Sequence, residues 1–440
     1  MRSIKSIKGE HLLNLNHKFI KHPKLKNSIN KIINDPVWGF IELDSDLHIK
    51  LIEHPYFQRL RRIKQLGLSS LVYPGANHTR FEHAIGTMYL VRAAVSVLRN
   101  KGNKITPEEE EGVMAALLLH DIGHGPFSHA LEQSIVQGVS HEELSLIYMN
   151  ELNQEMNGRL SLAIEIFLNK HPKKFLHHLV SSQLDMDRLD FLKRDSFYTG
   201  VSEGVVSSER IIKMLNIKND QLVVEVKGIY SVEKFLIARR LMYWQVYLHK
   251  TVISADSMMI KLLQRATELV ALGHPVNATG HLTLFLNKTI QAKDFRSTDS
   301  ETRKAALTTF AYLDDTDVIF TVKGWMEHPD PILSTLSKGL INRKLLKIKL
   351  SAAPFKESKL RLLKNAAREK FNLDNQEVEF LVVNGEITNS AYDAEAGSIQ
   401  ILSKNGKLKD IKEASDINLE GLTKIVRKHF VCYPAEIQTR

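Results

Sequence analysis

An apolar run that ends in a histidine and an aspartate constrains this chain more than any other feature. The run over residues 113–119 carries His120 and Asp121 at its end, and two helix-breaking residues, Gly123 and Pro126, follow closely. The run is far too short to cross a bilayer. Glycine after the pair allows the backbone to turn, so that both side chains can point toward one region. The pattern therefore predicts a helical fold with a site where this helix ends.

Composition narrows the class of protein further. The 440 residues suggest two or three domains, and 43% apolar with 25% charged residues is ordinary for a soluble globular protein. No long apolar segment follows the basic N-terminus, so no secretory signal is predicted. The single cysteine, Cys432, excludes an intramolecular disulfide and a cysteine-rich zinc site, and it fits a reducing compartment. We therefore expect a cytoplasmic protein without a membrane partner, in which nitrogen and oxygen bind any metal.

Hydrophobic periodicity predicts a mainly α protein in three parts. A polar lead-in over residues 1–45 precedes a helical catalytic domain over 46–330, in which apolar residues recur at three- and four-residue steps. After about Pro331 the composition shifts, and residues 331–440 are predicted to form a smaller α+β domain. The main predicted elements are a small β-hairpin at 35–43, a strand at 219–226, a long helical tract at 232–272, strands at 345–350 and 378–383, a basic helix at 356–370 and a hairpin at 399–411.

Three separated motifs supply the residues of a metal site. His83 ends the motif Arg80-Phe-Glu-His83, and Asp187 lies in a downstream motif at 185–190. With His120 and Asp121 they offer two imidazoles and two carboxylates, which suit Mn, Fe, Zn or Ni, whereas Mg prefers more oxygen. Each residue alone is as well explained by core packing, so the prediction depends on the set. We predict one divalent transition metal here, and Mg only as a companion of the substrate.

Further polar residues surround this set in the sequence. Arg80 lies one helical turn before the first histidine and could reach a phosphate or orient a ligand. His124 and His129 could act as a general acid and as a hydrogen-bond donor to a phosphate near neutral pH. Helix capping and packing explain these histidines too. His141 and Glu132 could form a further pair of an acid and its orienting group. These residues predict proton transfer close to the metal.

Five motifs then occur in a fixed order, and together they resemble the HD-domain phosphohydrolases. The similarity is greater to the deoxynucleoside triphosphate triphosphohydrolases of SAM-and-HD architecture, although no SAM domain is expected ahead of the HD part. It extends over roughly residues 45–260 and implies an HD-type helical core. The matching segments lie at 57–67, 72–76, 80–83, 120–129 and 185–195.

The resemblance implies a role for each matching residue. The metal would be bound by His83, His120, Asp121 and Asp187. His129 would protonate the leaving 5′ oxygen, His124 and His141 would line the site, and Glu132 would support His141. The triphosphate would be held by Arg80, Arg188 and Arg239. The sugar would be contacted at its 3′-hydroxyl by Gln65 and Asp195, and packed against by Tyr247.

The resemblance also implies regulation and assembly. Members of that family assemble as homo-oligomers, dimers or tetramers, with nucleotide activators at subunit interfaces. Residues that could line such an activator site are Glu53, Arg61, Val72 and Tyr73. This chain departs from the pattern at Phe191, where a tyrosine is usual, at Leu248, which replaces a glutamine, and at Glu132, which replaces an aspartate. The departures concern the choice of substrate.

Three functions stay open at this point. The first is hydrolysis of a deoxynucleoside triphosphate (dNTP) to deoxynucleoside and triphosphate. The second keeps the metal chemistry but acts on another nucleotide or phosphate ester. The third is a regulatory protein with a vestigial site that binds single-stranded nucleic acid, motivated by a net charge of +10 and by eleven Lys/Arg against two acids over 338–370. A solvated helix face explains the same charges. The chain has neither a Walker-type loop nor a serine–histidine triad motif.

Overall fold

The fold is known from a computed structural model that describes residues 31–128, 131–392 and 397–437, with the side chains of 132 and 133 left out. Most of the predicted lead-in therefore lies outside the described residues. The helices are α1 Asp46–Glu53, α2 Pro55–Gln58, α3 Arg80–Asn100, α4 Pro107–Leu119, α5 Glu132–Ile135, α6 His141–Glu155, α7 Ser161–Phe167, α8 Lys174–Val180, α9 Met186–Thr199, α10 Ser208–Met214, α11 Ile229–Met242, α12 Lys250–Ala271, α13 Gly280–Leu286, α14 Ala292–Phe295, α15 Ser300–Ala311, α16 Asp315–Gly324, α17 Pro331–Ile341, α18 Glu357–Phe371, α19 Ile411–Ala414 and α20 Glu420–Thr423.

Short strands accompany the helices. They are β1 Lys31–Asp35, β2 Gly39–Leu43, β3 Leu215–Lys218, β4 Gln221–Glu225, β5 Lys347–Ser351, β6 Val383–Asn389, β7 Gln400–Leu402, β8 Leu408–Asp410 and β9 Val426–Tyr433. They form a β1–β2 hairpin, a sheet of order β3-β4-β7-β8 and an antiparallel sheet of order β5-β9-β6. The predicted mainly α class, with a small hairpin and a smaller α+β C-terminal part, is confirmed. The boundaries drawn between domains stay a prediction.

Three helices form the centre of the molecule. α3 packs against both α4 and α9. It begins with a capping box, in which Thr79 and Glu82 satisfy each other's backbone amides, so its first turn is fixed. α4 has no polar face; its residues from Gly112 to Leu119 are all buried, so it passes through the core. The packing of these three helices brings the start of α3, the end of α4 and the start of α9 next to one another.

The long helical tract predicted over 232–272 is interrupted. α11 is followed by a π-helical turn over Tyr243–Tyr247, in which the Leu248 amide donates to the Tyr243 carbonyl at 2.7 Å. His249 then caps α12 with its side chain. A π turn holds one extra residue, and hydrophobic periodicity does not resolve such a short change of phase.

The C-terminal part differs from prediction at one element. Residues 378–383 were expected to form a strand, but a 3₁₀ turn occupies Glu377–Phe380 and β6 begins only at Val383. The Asp374 carboxylate accepts the amides of Gln376 and Glu377, both at 2.7 Å, and so starts a helical turn. The prediction missed this capping aspartate. Among the described helices, none combines the length and the apolar content needed to cross a membrane.

Candidate active site

The four residues predicted to bind a metal lie together. His83 Nε2 is 3.0 Å from Asp187 Oδ1 and 3.7 Å from Asp121 Oδ2. His120 Nε2 is 3.4 Å from Asp121 Oδ1 and 3.5 Å from Asp187 Oδ1. Two nitrogens and two carboxylates thus surround one point, and ligand atoms of His83, His120 and Asp187 all lie within 4.8 Å of one another.

The outer nitrogen of each imidazole is held by the protein. His83 Nδ1 lies 2.7 Å from Asp190 Oδ2, and His120 Nδ1 lies 2.6 Å from the Leu117 carbonyl. Both Nε2 atoms are buried and, among the described residues, neither makes a hydrogen bond of proper geometry. Fixing the outer nitrogen while the inner one faces carboxylates is the arrangement that a metal-binding histidine requires. The donor set therefore fits a divalent transition metal.

The charges of the cluster point the same way. Burial opposes ionisation of His83, but Asp187 and Asp190 prevail and raise its pKa to about 10. Burial also opposes the ionised form of Asp187, yet His120 and His83 hold its pKa well below the usual range. The carboxylates of the cluster thus favour positive charge between them, which is the charge that a divalent cation would supply.

Arg80 connects the cluster to the loop at Phe127 and Ser128, to which the sequence analysis gave no role. Its Nη1 donates to Asp121, and its Nε donates to the Ser128 hydroxyl at 2.7 Å. Ser128 and its neighbour Phe127 both have left-handed backbones, with φ of 53° and 54°. Such residues are strained and need outside support.

Asp315 provides that support from a distant helix. Its carboxylate accepts the Phe127 amide at 2.7 Å and the Lys64 amide at 3.0 Å. Burial raises the pKa of Asp315 to about 6. The side chain therefore joins the loop beside the metal-binding residues to the segment that carries Gln65.

A second group of polar residues adjoins the metal cluster. His124 Nδ1 lies 3.3 Å from Asp121 Oδ1, and the rings of His124 and His141 have centroids 3.9 Å apart. Two of the three predicted catalytic histidines are therefore next to Asp121, a predicted metal ligand. His129 lies outside the described residues, as does the side chain of Glu132, so their predicted roles stay predictions.

Gly123 has a different role from the one expected. Its φ lies outside the left-handed region, so the turn after α4 does not demand glycine for conformational freedom. A Cβ there would stand 2.3 Å from the His141 carbonyl and 2.4 Å from the Ser145 amide. Glycine is needed because α6 approaches so closely, and that approach brings His141 to His124.

Away from the metal cluster, two of the three predicted sugar contacts lie together, Asp195 near the end of α9 and Tyr247 in the π turn. The third, Gln65, is linked to Asp195 through His78, whose carbonyl accepts the Gln65 amide. Tyr247 donates to Asp195 Oδ2 at 2.8 Å, and its ring meets Phe191 edge-on with centroids 6.0 Å apart. Burial and Asp195 raise the pKa of Tyr247 well above the usual value. The Gln65 Oε1 atom is buried and, within the described part of the chain, accepts no hydrogen bond. The three positions thus offer an acceptor at Gln65 and a hydrogen-bonded pair at Asp195 and Tyr247.

The two remaining predicted phosphate contacts are close to each other. Arg188 donates to Asp185, and Arg239 Nη1 donates to Gln183 at 3.2 Å. Burial and the charge of Arg188 lower the pKa of Arg239. Among the described residues, Arg188 has a direct carboxylate partner and Arg239 has none. An anion placed between the two guanidinium groups would reduce their mutual repulsion.

The predicted activator residues lie around the segments before α3. Glu53 is exposed and pairs with Lys31. Arg61 stacks over the Phe81 ring at 3.5 Å. Val72 ends a 3₁₀ turn, and the Tyr73 hydroxyl next to it donates to the Gln245 carbonyl in the π turn. Their regulatory role stays a prediction.

Four supporting residues were missed by the sequence analysis. Asp190 orients His83 and also binds Arg194 and Trp38, and its spacing of three residues from Asp187 was the available signal. Ser128 stood within a quoted motif without a role. His78 and Asp315 gave no local signal, because their partners are distant in the sequence.

Comparison with known proteins shows that the chain is similar to HD-domain proteins. The HD domain family matches residues 80–193, and the HD associated region matches residues 206–277. The uncharacterized protein YwfO of Bacillus subtilis is 31% identical over 430 residues, which is 94% of this chain and 95% of that protein. A phosphohydrolase of Bacteroides thetaiotaomicron has a solved structure with a TM-score of 0.88 and 52% identity, covering 92% of this chain and 99% of that one.

A human relative carries a more specific name. The deoxynucleoside triphosphate triphosphohydrolase SAMHD1 of Homo sapiens is 30% identical over 284 residues. The match covers 54% of this chain and 45% of that protein, so slightly less than half of the human protein is compared.

Proposed function

Because this chain belongs to the HD-domain family of phosphohydrolases, we propose that it hydrolyses deoxynucleoside triphosphates to a deoxynucleoside and triphosphate. The observation that carries this proposal is the arrangement of α9. Asp187, Phe191 and Asp195 are spaced by four residues and so share one face of the helix. The spacing puts the phosphate-facing and sugar-facing ends of a site about 12 Å apart along the axis.

The chain supplies most of the groups that this reaction needs. Arg80, Arg188 and Arg239 would hold and neutralise the triphosphate, which carries about four negative charges at neutral pH. A divalent metal bound by the two histidines and two carboxylates would draw in the α-phosphate and activate water. His129 would deliver a proton to the leaving 5′ oxygen, with His124 and His141 lining the site, since an imidazole can act as a general acid near neutral pH.

The finer identities are part of the proposal. Mn, Fe, Zn or Ni is the metal that the donor set favours. We further propose a cytoplasmic homo-oligomer, dimer or tetramer, whose activator is a nucleotide bound near Glu53, Arg61, Val72 and Tyr73. The name of the human relative supports the substrate class.

The second candidate function is hydrolysis of another nucleotide or phosphate ester. Phe191 favours it, because a phenyl ring stands beside Tyr247 where a phosphate-contacting hydroxyl was expected. The nucleic-acid alternative has less support. On α18, Lys364 pairs with Glu379 at 2.5 Å and Lys359 lies over the Phe355 ring, so part of the basic segment is engaged within the protein.

Product analysis separates these functions. Protein loaded with Mn is incubated with each dNTP, with and without dGTP as activator, and triphosphate and deoxynucleoside are quantified. Intact triphosphate in equal amount to the deoxynucleoside is the expected result, and Asp187→Ala should release neither. Absence of turnover for every dNTP, together with hydrolysis of a simple phosphodiester, would instead establish the second function.

A further inference from the structure

We propose that His78 is a positioning residue that fixes both groups assigned to the sugar 3′-hydroxyl, Gln65 and Asp195. The inference rests on the proposed function. It concerns a residue just before α3 that has no assigned role in the metal cluster or in phosphate binding. His78 acts on one of the two groups through its side chain and on the other through its backbone.

The side chain of His78 reaches Asp195. His78 is 2% exposed, and its Nε2 lies 2.7 Å from Asp195 Oδ1. Its ring stacks on Tyr198 with centroids 4.4 Å apart and planes 14° apart, and Tyr198 is itself anchored to Glu82 at 3.0 Å. The imidazole therefore has one orientation. Because a carboxylate oxygen accepts, a hydrogen bond at this contact requires the proton on Nε2.

The Asp195 carboxylate is thereby held at both oxygens. Tyr247 donates to Oδ2 at 2.8 Å, while His78 is at Oδ1. Each carboxylate oxygen can accept a further hydrogen bond, so a substrate hydroxyl can still be bound. A buried carboxylate with one donor removed can rotate or change its protonation, and it then loses its directed contact with a hydroxyl.

The backbone of His78 positions Gln65. The His78 carbonyl accepts the Gln65 amide at 3.0 Å. This bond belongs to a short antiparallel ladder of backbone hydrogen bonds. In it, Lys64 and Thr79 form an isolated β-bridge, and the Arg80 amide donates to the Ile63 carbonyl at 3.0 Å. The ladder fixes the backbone of Gln65, whose buried Oε1 has no hydrogen-bond donor among the described residues and could accept one from a substrate hydroxyl. One residue thus sets the distance between the two sugar contacts.

The test compares a substrate that has the 3′-hydroxyl with one that lacks it. Steady-state kcat and KM are measured for dGTP and for 2′,3′-dideoxyguanosine triphosphate (ddGTP). His78→Phe keeps a ring against Tyr198 but removes the donor, and His78→Gln restores a donor near the Nε2 position. The matched control is His48→Phe, since His48 is equally buried and lies 3.1 Å from the Glu111 carbonyl, on α1.

We expect His78→Phe to lower kcat/KM for dGTP about tenfold or more, because hydrogen bonds to a charged group are worth that much. The loss for ddGTP should be less than about twofold, His78→Gln should recover most of the dGTP rate, and His48→Phe should show no preference between the substrates. Should His78→Phe not fold, His78→Met removes the donor with a flexible side chain. Equal losses on both substrates, or no loss, would overturn the role of His78. A wild-type protein that turns over neither substrate would overturn the proposed function and this inference with it.

Discussion

The two ends of helix α9 differ in how far the protein itself satisfies their polar atoms. At Asp187, the Nε2 atoms of His83 and His120 are buried among carboxylates without proper hydrogen bonds to described residues. At Asp195, both carboxylate oxygens have protein partners, His78 and Tyr247. The first end has buried nitrogens for which an added cation would serve as partner, whereas the second end is assembled by folding. Metal should therefore affect the two ends differently.

The largest expected effect is metal binding. Metal that binds only the folded state stabilises it by about 4 kcal/mol when present at a thousand times its Kd. We expect this gain for the wild type on adding Mn to chelator-treated protein, as measured by urea unfolding. Asp187→Ala should lose the gain, and His78→Phe should retain it. An equal gain in wild type and Asp187→Ala would remove the distinction between the two ends.

A smaller effect on the free energy of unfolding is expected from Gly86, which packs against the middle of α9. A Cβ on Gly86 would stand 2.0 Å from Asp190 Oδ1 and 2.4 Å from Arg194 Nη2, inside a buried ion pair. Gly86→Ala should therefore lower the free energy of unfolding by about 3 kcal/mol. Gly324→Ala is the control, because nothing lies within 4 Å of a Cβ there. Unchanged stability of Gly86→Ala in denaturant unfolding would show that α3 and α9 can separate without cost.

The smallest effect concerns Asp315, which joins the two ends through Phe127 and Lys64. Its pKa of about 6 in the folded protein lies above the usual 3.8, so folding favours the protonated acid. The resulting stability is fully present below about pH 4 and declines as the pH rises through about 6. Lys64 and Asp314 are the charged groups beside it; Lys64 lowers the pKa of Asp315, and Asp314 raises it.

We therefore expect the difference in unfolding free energy between wild type and Asp315→Asn to fall by about 2–3 kcal/mol from pH 4 to pH 7. Urea unfolding at four pH values measures it. A constant difference would mean that Asp315 keeps its usual pKa and that the link between the ends does not depend on pH.

The sequence indicates the four proposed metal ligands more directly than the residues that support Asp195 and Gln65, for a physical reason. His83, His120, Asp121 and Asp187 each stand in a local motif at a helix terminus, where spacing alone indicates direction. His78 and Asp315 act on residues 117 and 251 positions away, so only the folded chain brings them into contact.

Two differences from the predicted fold have equally local causes. The strand expected at 378–383 begins only at Val383 because Asp374 caps a turn before it. The helical tract expected over 232–272 is helical, but one extra residue enters it at Tyr243–Tyr247 and divides it into α11 and α12. Apolar spacing records which residues are buried, but it does not record a cap or a single added residue.

Because of that added residue, the number of residues in the π turn decides where Tyr247 lies relative to Asp195. Each residue of an α-helix turns the chain by about 100°, so a deletion that returned 243–247 to α-helical form would rotate the side chains beyond it. Tyr247 would then no longer face Asp195. Relatives are therefore better compared at this point by the number of residues between Met242 and His249 than by their identities, because a one-residue deletion would separate Tyr247 from Asp195 without replacing either side chain.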